Sequence, residues 1–135
     1  MKIYFSPGQV PMLLDSLKGM NALEEKLQAF LSSSAKAIAL AASAGGSPEP
    51  YDELLAGLEV QKGEGPIHLS LTTEGWLRLV GSPENLKRYA SFFHFEEDEE
   101  GSHHHPEYVQ VEGYIAAGSM SLILEVDSEQ ELRTS

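Results

Sequence analysis

The sequence predicts an α+β domain built on a mostly antiparallel sheet of about six strands, with two main helices on one face. Three observations carry this. Ile67-His68-Leu69-Ser70-Leu71 alternates apolar and polar, turns at Thr72-Thr73-Glu74-Gly75 and returns through Trp76 to Val80, the pattern of a β-hairpin. Two segments, around 22–33 and 83–94, carry helix-start residues followed by an apolar stripe of helical period. Ser119 to Asp127 closes the pattern as a strand with Leu122, Leu124 and Val126 on one face.

Taken in order, Lys2 to Phe5 is a short opening strand stopped by Ser6-Pro7-Gly8. Pro11 to Lys18 reads as a short helix, with proline near its first position and Gly19 just past its end. Asn21 is suited to cap the next helix, with Glu24 three residues on, and Leu23, Leu27, Phe30 and Leu31 form its stripe. Ala35 to Ala44 fits either a helix or a small-residue strand. Gly45-Gly46-Ser47-Pro48-Glu49-Pro50 is a loop within one domain spanning 1–135. Leu55 to Gln61 reads as a strand and Lys62 to Pro66 as a turn. Ser82 caps a second helix with Pro83 at its first position and Glu84 on the positive end of the dipole. Leu86, Tyr89, Ala90 and Phe93 are its buried stripe. Phe92 and Phe95 cannot both share that face with Phe93: either one of them is exposed to a partner, or, the reading we favour, the helix is covered on two sides by the sheet and a neighbouring loop. Glu96-Glu97-Asp98-Glu99-Glu100 would oppose a helix C-terminal dipole and so belongs in a loop. Ser128 to Ser135 is polar and is expected to fray. A faint echo, helix then Gly-Ser loop then Pro/Tyr then strand, suggests two related β-α-β-β units over 1–71 and 75–127.

Composition narrows the function. The chain has 135 residues, 9 basic against 21 acidic, for a net charge of −12. Nucleic-acid binders and anionic-membrane binders present basic surfaces, so both classes are disfavoured, while a basic protein partner would be attracted. No cysteine is present, which removes disulfides and thiolate chemistry. No apolar run is long enough to span a bilayer and no secretory signal is evident, so a cytoplasmic protein is expected.

His103-His104-His105 with Glu107 and Glu112 is the metal candidate, because alternation along a strand would let His103, His105 and Glu107 converge on one ion. The spacing loosely resembles the cupin pattern of two histidines and a glutamate. Glu107 comes too early for it, Glu112 too late, and no later histidine completes the set. A polar strand start beside an acidic loop explains the same residues, and no metal or other cofactor is expected. There is no Gly-x-Ser-x-Gly elbow, phosphate loop or dinucleotide fingerprint, so the chain is not expected to be an enzyme.

Leu79-Val80-Gly81-Ser82-Pro83-Glu84-Asn85-Leu86, the histidine-rich strand, and Gly118-Ser119 before Leu122-Ile123-Leu124-Glu125 together resemble the bacterial immunity proteins of family thirty-two, over the C-terminal 50–60 residues. The long N-terminal half and the five-carboxylate loop depart from that family. The resemblance implies a protein that binds and blocks a co-produced toxin. A basic nuclease would suit an acidic contact formed by Glu96, Glu97, Asp98, Glu99 and Glu100, joined by Glu107 and Glu112. The alternatives are a metal-binding, cupin-like small enzyme, which predicts stoichiometric metal, and a structural or regulatory oligomer built on edge-strand pairing, which predicts a dimer whose formation does not depend on concentration.

Overall fold

The computed structural model describes residues 1–43, 45–99, 101–109 and 111–127. Two helices and two mixed sheets, of five and four strands, replace the single antiparallel sheet read from the sequence. None of the described helices is long and apolar enough to cross a membrane.

In chain order the strands are β1 (Lys2–Phe5), β2 (Met12–Asp15), β3 (Ala37–Ala41), β4 (Glu53–Leu54), β5 (Gly57–Lys62), β6 (His68–Leu71), β7 (Trp76–Gly81), β8 (His103–His104) and β9 (Ile123–Val126). Helix α1 (Leu17–Leu31) follows β2, and α2 (Pro83–Ser91) follows β7. One sheet has the order β4-β1-β2-β9-β8 and the other β3-β5-β7-β6. Every pairing is antiparallel except two, β2 with β9 and β5 with β7.

Those two exceptions organise the molecule. The chain runs through the order hairpin, helix, antiparallel strand pair twice: β1-β2, α1 and β3/β5, then β6-β7, α2 and β8/β9. Each hairpin pairs in parallel with the strand pair of the other half. The repeat in element order divides at the turn 63–66, which places β6 with the second half. Both helices also start alike. Ser16 and Ser82 hold extended backbone, and each hydroxyl accepts the N–H three residues on, from Gly19 at 2.9 Å and Asn85 at 3.2 Å.

Several expectations held. The hairpin of 67–80 is β6-β7, with Leu69, Leu77 and Leu79 buried. The second helix has the expected cap and stripe, with Leu86, Tyr89, Ala90 and Phe93 all buried. The alanine segment is the strand β3.

The short helix read at Pro11–Lys18 is a correction. Met12–Asp15 is a central strand between β1 and β9, where two ladders satisfy its backbone and Leu13 is fully buried. Helix α1 therefore starts at Ser16, not Asn21, and Gly19 lies inside it. A Cβ at Gly19 would collide with the Asp15 carboxylate, so a larger residue there would have to displace the side chain that pairs with the Met1 amine at 3.1 Å. The strand read at 55–61 begins at Gly57, and the preceding Glu53–Leu54 pairs with β1 instead. The closing strand is shorter than read, Ile123–Val126, although Leu122, Leu124 and Val126 are all buried as expected. The tail 128–135 lies outside the described residues.

The inward side chains of both sheets and both helices form one core, running from Ile3 and Leu13 through Met20, Leu27, Leu58, Leu77 and Tyr89 to Phe93, Phe95 and Leu124. Asn21, freed from capping, closes it. Its side-chain nitrogen donates to the Phe95 carbonyl at 3.0 Å, and its oxygen accepts the Phe95 N–H at 2.8 Å. One amide thus satisfies both backbone groups of a buried residue 74 positions away. Replacing Asn21 by Ala should lower the unfolding free energy by about 2 kcal/mol, since two hydrogen bonds are lost and a modest gain in helix propensity offsets little. Urea denaturation checks this, with an unchanged midpoint as the contrary result.

Candidate functional site

The acidic segment follows directly from the way α2 ends. Phe92 caps the helix, Phe93 and Phe95 drop into the core, and the chain leaves the surface-bound helix through His94. Of the two readings of Phe92 and Phe95 the covered one holds, since Phe95 is buried and Phe92 packs against the core, and neither is offered to a partner. The reason is that the chain turns after residue 91, so Phe95 no longer follows the helical face on which the expectation relied. Glu97–Glu99 then form a single 3₁₀ turn rather than an open loop. The Glu99 N–H donates to the Glu96 carbonyl at 3.0 Å, and the Glu96 N–H donates to Glu99 Oε1 at 2.8 Å. Glu96, Glu97 and Asp98 are exposed and Glu99 is half-buried. Glu100 lies outside the described residues.

His104 locks this turn to the body of the protein. Its ring stacks on Phe95 with centroids 3.9 Å apart and planes within 7°. Nδ1 lies 2.7 Å from the Phe92 carbonyl and Nε2 3.1 Å from Glu99 Oε2. Both neighbours are acceptors, so the ring satisfies both only with a proton on each nitrogen. The backbone N–H of Glu96 and then His104 hold the Glu99 carboxyl below its ordinary value. His94 Nε2 sits 3.2 Å from Glu96 Oε1 at the other end, where both side chains are more than half exposed and the contact contributes little.

The other predicted residues divide differently. β8 contains only His103 and His104, because Pro106 starts a second 3₁₀ turn, Pro106–Tyr108. His103 and His105 rings meet edge to face at 5.1 Å, and His105 stacks on Tyr108 at 4.4 Å. Glu107 lies in the turn rather than on the strand. Its side chain is nine-tenths buried, with Oε1 accepting the Leu122 N–H at 3.2 Å and Oε2 3.7 Å from His105 Nδ1. Among the described residues no three His, Cys, Asp or Glu side chains are grouped as a metal site. Glu107 is thus turned toward the body of the fold, beside the buried Tyr89 and Tyr114, whose hydroxyls lie above the usual tyrosine range because of burial first. Tyr114 donates to the Pro106 carbonyl at 2.7 Å. Glu112 is exposed, and with Glu107, Val109, Val111 and Ile115 it lines an open groove of about 340 Å³.

Sequence reasoning missed two features here. Tyr108, 70% exposed, is the large aromatic that the surface presents, and Asn21 is the fixing point of the turn's base. A polar amide inside an amphipathic helix was the available signal for Asn21. Nothing in the spacing distinguished Tyr108 from the buried tyrosines.

No known protein family, curated protein or solved structure matches this chain.

The lowered Glu99 pKa fixes the sign of a pH effect. The contribution of this turn is present above the ordinary glutamate range and is lost as pH falls through the folded-state value. An NMR titration should find Glu99 ionising below the ordinary glutamate value, and His104→Ala should move it back up. Equal titration in the two proteins would remove His104 from this role.

Proposed function

We propose that this chain is a binding protein that neutralises a cognate toxin, with the turn at 96–99 as its acidic contact. The observation that carries the reading is the combination of exposure and fixity in that turn. Glu96, Glu97 and Asp98 face solvent, while Asn21, Phe95 and His104 hold the backbone beneath them. Preorganised carboxylates lose little side-chain and loop entropy on docking, and their field accelerates encounter with a basic surface. The net charge of −12 acts in the same direction over longer range. A nuclease toxin, whose substrate cleft must be basic, is the partner class this charge pattern suits. The resemblance of Leu79–Leu86 and of the closing strand to immunity proteins of family thirty-two points to the same role.

Within this reading Glu107 serves the fold and leaves the contact to the residues of the turn. Glu112 stands apart on its own groove. Tyr108 replaces Phe92 and Phe95 as the aromatic anchor, because it is the exposed one.

The test uses the polypeptide encoded beside this chain's gene, with association followed in real time at low and moderate salt. A triple variant, Glu96→Lys, Glu97→Lys and Asp98→Lys, should slow association at least about tenfold and flatten its salt dependence, leaving dissociation much less affected. Unchanged association would place the contact elsewhere, and absence of any complex with the wild type would remove the reading.

A further inference from the structure

We propose that β3 is an interface between two copies of this chain, paired antiparallel about a two-fold axis at Ala39. The backbone geometry of β3 leads there. Lys62 N–H donates to the Lys36 carbonyl and Ala42 N–H to the Ala56 carbonyl, each at 2.8 Å, at the two ends of the β3–β5 ladder. In an antiparallel ladder such pairs recur at every second residue, so the even-numbered residues of β3 bond β5. The N–H and C=O groups of Ala37, Ala39 and Ala41 therefore point away from the sheet, and among the described residues nothing bonds them.

The other sheet ends are protected. The outer edge of β6 is covered by 114–120, through Ile67 N–H to Tyr114 O at 2.6 Å, Ala116 N–H to Ile67 O at 2.8 Å and Met120 N–H to Leu69 O at 2.9 Å. β4 and β8 end the first sheet with only two residues each. Among the described residues β3 alone presents a five-residue edge, and it carries no charge, proline or bulky outer side chain to deter pairing.

The occupant follows from the sequence of that edge. Ala37-Ile38-Ala39-Leu40-Ala41 reads nearly the same in both directions. Antiparallel pairing centred on Ala39 sets alanine against alanine on the outer face and Ile38 beside the second copy's Leu40 on the inner face. On that inner side a groove of about 460 Å³ runs between β3 and α1, lined by Gly19, Ala22, Leu23 and Leu40 among others. Ile38 of the second copy enters it, against the small residues of α1. Between β8 and α2 the protein's own His104 and Phe95 fill the space instead. A five-residue pairing with two inserted isoleucines is a small interface, so the dimer dissociates on dilution.

The chain contains no cysteine, which makes a register test direct. In this pairing Ala39 faces its own counterpart as a hydrogen-bonded pair with Cα atoms about 5.5 Å apart, within disulfide range. Ala37 faces Ala41, and the two copies of Ala37 lie about 14 Å apart. Mild oxidation should convert Ala39→Cys to a disulfide-linked dimer, leave Ala37→Cys and Ala41→Cys without a cross-link when separate, and cross-link them when mixed. Sedimentation of the unmodified protein should show a dimer that dissociates on dilution. Ala39→Pro, which removes only an outward N–H, should keep the circular dichroism of the wild type and sediment as a monomer. A wild type monomeric at every concentration overturns the proposal, including the case in which another protein's strand covers this edge. So do cross-linking of Ala37→Cys alone and a dimer that persists in a folded Ala39→Pro. Should that variant fail to fold, the three cysteine variants still decide.

Discussion

The exchange of strands between the two halves is the constraint on which the rest depends. β2 has no partner on its inner side except β9, and β5 has none except β7. Both contacts are parallel, so neither can be made by a hairpin and each requires a long crossover. Helix α1 is the first step of the β2-to-β9 crossover, β5 reaches β7 by way of β6, and each helix follows its strand after a single serine cap. Leu13, Leu58, Leu77 and Leu124 lie on these four central strands, and all are buried. Packing, helix placement and the position of the acidic turn follow from the same interlocking.

Sequence patterns with a local cause were legible. The β6-β7 hairpin alternates with a period of two, and Ser82-Pro83-Glu84 combines a cap, a fixed φ and a favourable charge within three residues. The part of the fold that was misread is decided by distant partners. Met12-Leu13-Leu14 has no periodicity that separates helix from strand, and it becomes a strand because β1 and β9 flank it. Asn21 and Glu24 match a capping box, yet the helix already begins at Ser16 and the amide is used on Phe95. A single antiparallel sheet was the natural reading of hairpin signals, since parallel pairing leaves no turn motif in the sequence.

The candidate site shows the same division. Clustered carboxylates at 96–100 were visible as charge, and their exclusion from α2 followed from the dipole. Their fixity was not visible, because it rests on His104, which the sequence places within a metal-like triplet. In the structure each member of that triplet faces a ring: His104 lies on Phe95, His105 on Tyr108, and His103 against His105. Imidazole is flat and amphipathic, so a histidine run beside aromatics serves as a packing surface with polar edges as readily as a ligand set.

The interlocked order also governs how the chain acquires its structure. During synthesis the first half emerges with β2 and β5 complete but without their inner neighbours, and β9 comes more than 100 residues after β2. Loop-closure entropy must be met before that ladder returns any stabilisation, so the ordering step is non-local and slow relative to helix formation. β5 gains its partner once β7 is complete at residue 81, but until residue 126 is available β2 carries an open backbone edge, the state in which nascent chains associate with one another. The sheet β3-β5-β7-β6 has all its strands by residue 81, whereas the other sheet stays open at its centre until its last strand arrives.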